Sequence, residues 1–278
     1  MLRRTITSVL IIPFLIYVIY ADFLNSVLLF LFVLALSYLG SKELHSLLKK
    51  IYGTGGKGFF FLWSFIPGLA FLVSCYINVF FKPNSVAILY LIGCYTVVLC
   101  AGTFLKFGLK RSAKPLLMFS SCYFCMGVLP LTLWIIKLGP EGHVLLYFLF
   151  FLGWLNDALA YFIGSFFGRT RGFIKYSPNK SLEGYIGSFV LTIVFAAILH
   201  LVLGQRLPFN FTESVAGGFL ISVFSPLGDI FESIIKRKAG VKDSSGFLPG
   251  LGGVLDIFDS ILTSLPFYYL YLKIIAVV

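Results

Sequence analysis

Long apolar runs separated by short polar stretches leave this chain very few ways to fold. Nine such runs lie at about 5–21, 23–40, 59–80, 85–105, 115–136, 143–167, 185–204, 214–232 and 260–278. Each approximates the 17–25 residues that a helix needs to cross a bilayer. Inside hydrocarbon every backbone N–H and C=O must be paired within the protein, which leaves helices or closed barrels. The ten-residue alternation of barrel strands is absent. The expected fold is therefore all-α, a polytopic integral membrane helical bundle of about nine transmembrane helices. Pro226 and Gly228 interrupt the eighth run, and the ninth reaches the last residue, so these two boundaries are the weakest.

Composition agrees. Of 278 residues, 59% are hydrophobic and 12% charged, against about 45–50% and about 25% in soluble domains. Arg3-Arg4 before an apolar run resembles a signal peptide, but no small-x-small cleavage site follows near Ala21, and the first run reads as an uncleaved span.

The net charge is +11, from 22 Lys and Arg against 11 Asp and Glu. In a soluble chain this would suggest nucleic acid; here the cations have a topological explanation, and no nucleic-acid partner is expected. Eighteen of them fall in the N-terminal residues and alternate loops, from Arg3 and Arg4 through 42–57, 106–114 and 169–180 to 236–242. Lys82, Lys137, Arg206 and Lys273 belong to the other side. The positive-inside rule makes the richer side cytoplasmic, with the N-terminus inside and the C-terminus outside.

Residues 42–58 read as a basic loop. Its Gly53-Thr-Gly-Gly-Lys57-Gly58 fails the phosphate-loop pattern, because Ile51 stands where a glycine is needed and Gly58 follows the lysine. Runs three to five carry no acidic residue and hold all five cysteines. An odd number within apolar segments argues for free thiols rather than a disulfide framework. Three scattered histidines offer no metal-ligand or triad spacing. Residues 1–140 therefore read as a scaffold of about five spans, and 141–278 as a catalytic region with cytoplasmic loops at 169–184 and 233–259.

Two stretches of that second half carry chemistry. Within 233–259, Lys236, Arg237, Lys238 and Lys242 sit beside Asp243, Asp256 and Asp259, with Asp229 and Glu232 just upstream. Asp256 and Asp259 are three apart and share a helix face. Such carboxylates suit Mg²⁺, which bridges one or two of them to substrate phosphates, and Lys and Arg suit the phosphates. A basic loop that only fixes topology would explain the cations but not the acids or glycines. The other stretch starts at Asp157, an ionisable residue inside an apolar run and so a site candidate by default. A structural hydrogen bond to a neighbouring helix is the competing reading. Gly164 and Gly168 then allow close helix approach, and Ser177-Pro-Asn179-Lys180-Ser181-Leu-Glu183-Gly184 sets a cation, hydroxyls and an acid before a helix N-terminus.

Taken together, D-x-x-A-Y-x-x-G-x-x-x-G-R, S-P-x-K-S-x-E-G, G-D-x-x-E-S-x-x-K-R-x-x-x-x-K-D and P-G-x-G-G-x-x-D-x-x-D resemble the phosphatidate cytidylyltransferases, the CDP-diacylglycerol synthases. The motifs cover about 157–260. The resemblance implies a Mg²⁺-dependent enzyme of a bacterial inner membrane, its site facing the cytoplasm, that joins CTP and phosphatidic acid into CDP-diacylglycerol and pyrophosphate. A second cation and a homodimer are compatible with it. It assigns Asp229, Asp256 and Asp259 to the metal and catalysis, with Asp157 and Glu232 as further metal candidates. Lys236 and Arg237 join the catalytic set, and Lys180, Lys242, Ser177, Ser181, Ser233, Glu183, Asp243, Gly252 and Gly253 the substrate contacts. This chain departs from the family's usual P-G-H-G-G-x-x-D-R-x-D, with Leu251 at the His position and Ile257 at the Arg position. Leu can neither ligate nor move a proton, and Ile removes a bidentate phosphate contact. A CTP-using lipid kinase, a non-catalytic relative and a cation-coupled transporter are the alternative readings. No inverted repeat supports the transporter.

Overall fold

The computed structural model describes residues 2–21, 26–53 and 129–277. Among them are seven α-helices: α1 (Leu2–Tyr20), α2 (Val27–Tyr52), α3 (Leu129–Leu138), α4 (Gly142–Phe166), α5 (Leu182–Leu203), α6 (Phe211–Lys238) and α7 (Leu255–Ile274). The described residues contain no strand beyond two isolated bridges, at Arg171–Ser181 and Leu248–Gly252. Among the described residues, four helices are long and apolar enough to cross a membrane: Val27–Tyr52, Gly142–Phe166, Leu182–Arg206 and Phe211–Lys238. The expected all-helical fold is present. The third and fourth expected spans, most of the fifth, and all five cysteines lie outside the described residues.

Several boundaries differ from the sequence reading. α2 does not stop at residue 40 but runs through the expected basic loop to Tyr52, where Gly53 adopts a left-handed φ of 64°. Straight-chain Lys, Glu and Leu dominate Lys42–Ile51 and favour continued helix. Pro226 does not break α6, which runs unbroken over all 28 residues from Phe211 to Lys238; membrane helices tolerate proline where neighbours satisfy the freed backbone. α7 starts at Leu255, so only 239–254 of the 233–259 stretch is non-helical, and Lys236, Asp256 and Asp259 stand on helices.

Local chemistry sets the helix starts. Asn210 and Glu213 form a reciprocal capping box at α6, and the Ser181 hydroxyl accepts from the Gly184 N–H at α5. α5 shows why the fold suits an apolar solvent. Its large side chains Ile186, Val190, Val194 and Ile198 are exposed along one stripe, while Gly184, Ser188, Thr192 and Ala196 face inward. Small inward residues let helices approach closely, and hydrogen bonds fasten them. Asn156 of α4 donates to Thr192 of α5 at 3.1 Å, and the Tyr268 hydroxyl of α7 donates to the Leu145 carbonyl of α4 at 3.0 Å. The most extensive packing is α6 on α7, α4 on α5 and α5 on α6. This C-terminal bundle positions the site.

Candidate functional site

The C-terminal ends of α4 and α6 meet the N-terminal ends of α5 and α7 around a cavity of about 820 Å³, within the usual range for small-molecule sites. Asp157 comes from α4, Lys180 and Ser181 from the segment before α5, Asp229, Glu232 and Lys236 from α6, and Asp256 and Asp259 from α7. Five carboxylates from three helices thus line one cavity, although Asp157 and Asp259 lie 102 positions apart in sequence.

Ion pairs hold much of this charge. Lys236 Nζ bridges Glu232 Oε2 at 2.7 Å and Asp256 Oδ1 at 2.5 Å, tying α6 to α7. Lys180 pairs with Asp229 and lies over the Tyr185 ring, 5.5 Å from its centroid. Burial pushes the Lys180 ammonium below the ordinary lysine range, against the opposing pull of the Asp157 and Asp259 carboxyls. The Ser260 hydroxyl donates to Asp157 at 2.8 Å, joining α7 to α4. Asp157 therefore makes the helix-to-helix bond of the competing reading and also lines the cavity.

Asp256 is held by its own turn. Its Oδ2 accepts from the Ser244 N–H at 2.9 Å, the Ser244 hydroxyl at 2.8 Å and the Gly253 N–H at 2.7 Å. Gly252 has a φ of +95°, which favours glycine. A Cβ on Gly253 would collide with Ser244 Oγ and lie 2.5 Å from Glu43 Oε2. Both glycines shape the turn behind the cavity instead of lining it. The Gly164 and Gly168 pair admits Ser181, whose Oγ would lie 2.9 Å and 2.5 Å from a Cβ at either position.

Other expected site residues stand outside the lining. The Ser233 hydroxyl donates to Asp229 at 3.5 Å. Glu183 accepts from the Thr170 N–H at 3.0 and 3.1 Å and from its hydroxyl at 2.8 Å, so it clamps the 169–181 segment. Arg237 is exposed and donates to the Val241 carbonyl at 3.3 Å. Lys242 and Asp243 are exposed on the 239–254 segment, and Ser177 sits in the turn whose carbonyl accepts from the Lys180 N–H at 3.2 Å.

Four residues that sequence reasoning left without a role belong here. Arg171, Asn179 and Tyr185 line the cavity, as do Leu251 and Ile257, the two departures from the family pattern. Glu43, from α2, is buried and accepts from Ser244 Oγ, Ser245 Oγ, Val254 N and Leu255 N at 2.6–3.0 Å. Its only signal was an acid in a basic stretch, and its partners lie more than 200 positions away.

Among the described residues, no three His, Cys, Asp or Glu side chains are gathered so as to hold a metal ion unaided. Mg²⁺ does not need such a cage, since it binds through one or two carboxylates and completes its shell with phosphates and water. Glu232 Oε1 is buried with no hydrogen-bond partner, as are Asn156 Oδ1 and Tyr185 Oη, and all three residues line the cavity. Buried orphan atoms at a hard-oxygen site fit a cation and a polar ligand.

The fold and cavity define an all-helical membrane protein with a carboxylate-rich internal site flanked by cations. The sequence pattern of the cytidylyltransferase family matches residues 2–275, and the chain belongs to that family. It is 38% identical over 138 residues to a phosphatidate cytidylyltransferase of Bacillus subtilis, covering 50% of this chain and 51% of that protein. The corresponding Thermotoga maritima protein is 42% identical over 125 residues, covering 44% and 46%. That of Haemophilus influenzae is 40% identical over 151 residues, covering 52% and 51%. The matched region spans about half the length of these curated relatives.

Proposed function

We propose that this chain transfers a cytidylyl group from CTP to phosphatidic acid, releasing pyrophosphate and forming CDP-diacylglycerol for phospholipid synthesis. The observation that carries the reading is the gathering of five carboxylates and the paired Lys180 and Lys236 in one cavity, in a chain of the cytidylyltransferase family. An oxygen of the lipid phosphate attacks the α-phosphorus of CTP, and the bond to the β-phosphate's bridging oxygen breaks in line. Such transfers depend on positioning and charge neutralisation, not on a covalent enzyme intermediate. Within the set Asp229, Asp256 and Asp259, with Glu232 and Asp157 beside them, one or two carboxylates would hold Mg²⁺, and the same reading allows a second cation. Bound there, the ion would neutralise phosphate charge. Lys180 and Lys236 exchange part of their carboxylate pairing for substrate phosphate, Ser181 offers a hydroxyl, and the glycine turn at 252–253 keeps Asp256 aimed inward.

The same reading takes residues 141–278 as the catalytic region and places the protein in a bacterial inner membrane. It gives nine spans, a cytoplasmic N-terminus and a cytoplasmic site where soluble CTP reaches it; the distribution of 18 cations supports this. A homodimer remains part of the reading, tested by its mass in detergent.

The test is a product assay on purified protein with CTP, phosphatidic acid and Mg²⁺. Pyrophosphate and CDP-lipid, both lost on chelation, are expected. Release of CDP with a phosphorylated lipid would replace this reading with a lipid kinase, and absence of both products with a non-catalytic relative.

A further inference from the structure

Arg171 stands in specific surroundings. It lines the cavity with Lys180 and Lys236, but those two lysines are already committed to Asp229, Glu232 and Asp256. Among the described residues Arg171 is the cavity cation with no carboxylate partner; its guanidinium makes one long hydrogen bond, to the Gly164 carbonyl at 3.4 Å. Most of its five N–H donors stay available.

Its backbone, in contrast, is fixed. Arg171 bridges Ser181, the Leu182 N–H donates to the Thr170 carbonyl at 3.0 Å, and the Gly172 N–H donates to the Pro178 carbonyl at 3.1 Å. Glu183 clamps Thr170 on the adjoining side. Arg169 and Lys175, in the same segment, do not line the cavity. The segment therefore aims one of its cations, with an anchored backbone and an uncommitted head, at the site.

We propose that Arg171 is a substrate-binding residue that takes a phosphate group through its planar fork. Arg–phosphate pairs are bidentate and charge-assisted, and the position directly after Asp256, an arginine in the motif that this chain resembles, is Ile257 on the wall of this same cavity. The cation lost from α7 is supplied from the segment before α5. The shared chemistry is a phosphate oxygen pair, which either the lipid phosphate or the nucleotide triphosphate can offer. The proposal rests on the cytidylyltransferase reading for the identity of the ligands, but not for its test.

The experiment measures equilibrium binding of CTP and of short-chain phosphatidic acid, each with Mg²⁺, to the full chain, Arg171→Ala and Arg171→Lys in detergent, alongside turnover by the unaltered protein. Loss of a charge-assisted contact should weaken one ligand roughly ten- to a hundredfold in the alanine variant, with partial recovery in the lysine variant because the charge returns without the fork. Weakening confined to CTP assigns the triphosphate, and weakening confined to phosphatidic acid assigns the lipid phosphate. Both affinities within twofold of the parent, in a variant that elutes as folded protein, would overturn the proposal. Absence of turnover with an Arg171-dependent affinity would remove the catalytic reading and leave Arg171 as a phosphate contact.

Discussion

Asp259 shows how burial and grouping act at the residue scale. It stands on the first turns of α7, with Glu232 and Asp157 as charged neighbours, and accepts from the Ser260 N–H at 2.6 Å. Asn conserves its shape and removes its charge, so Asp259→Asn should lower turnover at least a hundredfold while detergent gel filtration shows an unchanged folded peak; near-normal turnover would remove Asp259 from the metal set. Lys180 offers a pH signature. Because burial depresses its pKa, the ammonium loses its proton at a lower pH than an ordinary lysine, and its phosphate-holding charge is present below that point and lost above it. The alkaline limb of kcat/KM, which reports groups of the free enzyme, should therefore fall earlier than an ordinary lysine would allow. Lys180→Arg keeps its charge well beyond the lysine range, so in that variant the limb should move upward. An unmoved limb would assign it to another group.

At the scale of elements, the turn from 239 to 254 joins two helices that carry the acids, and Glu43 reaches it from α2. Its carboxylate satisfies the Val254 and Leu255 N–H groups, which lie at the positive end of α7. Glu43→Ala leaves these buried donors unpaired at about 1–3 kcal/mol each, and should destabilise the protein by about 2–5 kcal/mol in a detergent unfolding assay. Turnover should fall with it, since Ser244, held by Glu43, also holds Asp256. A loss of stability under about 1 kcal/mol would show that the contact contributes little. None of this was legible from α2 itself. Its helical periodicity continues through residues 42–52, and a count of lysines there obscured it. By contrast the helix start at Ser181–Gly184 and the close approach at Gly164 and Gly168 were readable, because each depends on residues only a few positions apart.

For the whole molecule, the cavity lies at the helix ends that carry most of the described cations, which is the basis for its cytoplasmic assignment. In a cysteine-free background, Gly246→Cys in the 239–254 segment should react with a membrane-impermeant maleimide only from the cytoplasmic side, and Gln205→Cys, in the turn between α5 and α6, only from the opposite side. The reverse pattern would invert the topology. Hydrophobic length, charge asymmetry and the spacing of Asp, Lys and Gly determined the helical membrane class and the family, and pointed to Asp157, Lys180, Ser181, Asp229, Glu232, Lys236, Asp256 and Asp259 among the residues that line the cavity, because these are properties of a segment in its solvent and need no knowledge of neighbours. The pairing of Lys236 with both Glu232 and Asp256, the separation of Glu183 from the cavity, the entry of Arg171 into it and the reach of Glu43 to α7 were decided only by tertiary structure. Which side chains meet depends on how helix faces pack across tens to hundreds of residues, and a linear pattern carries no such distance.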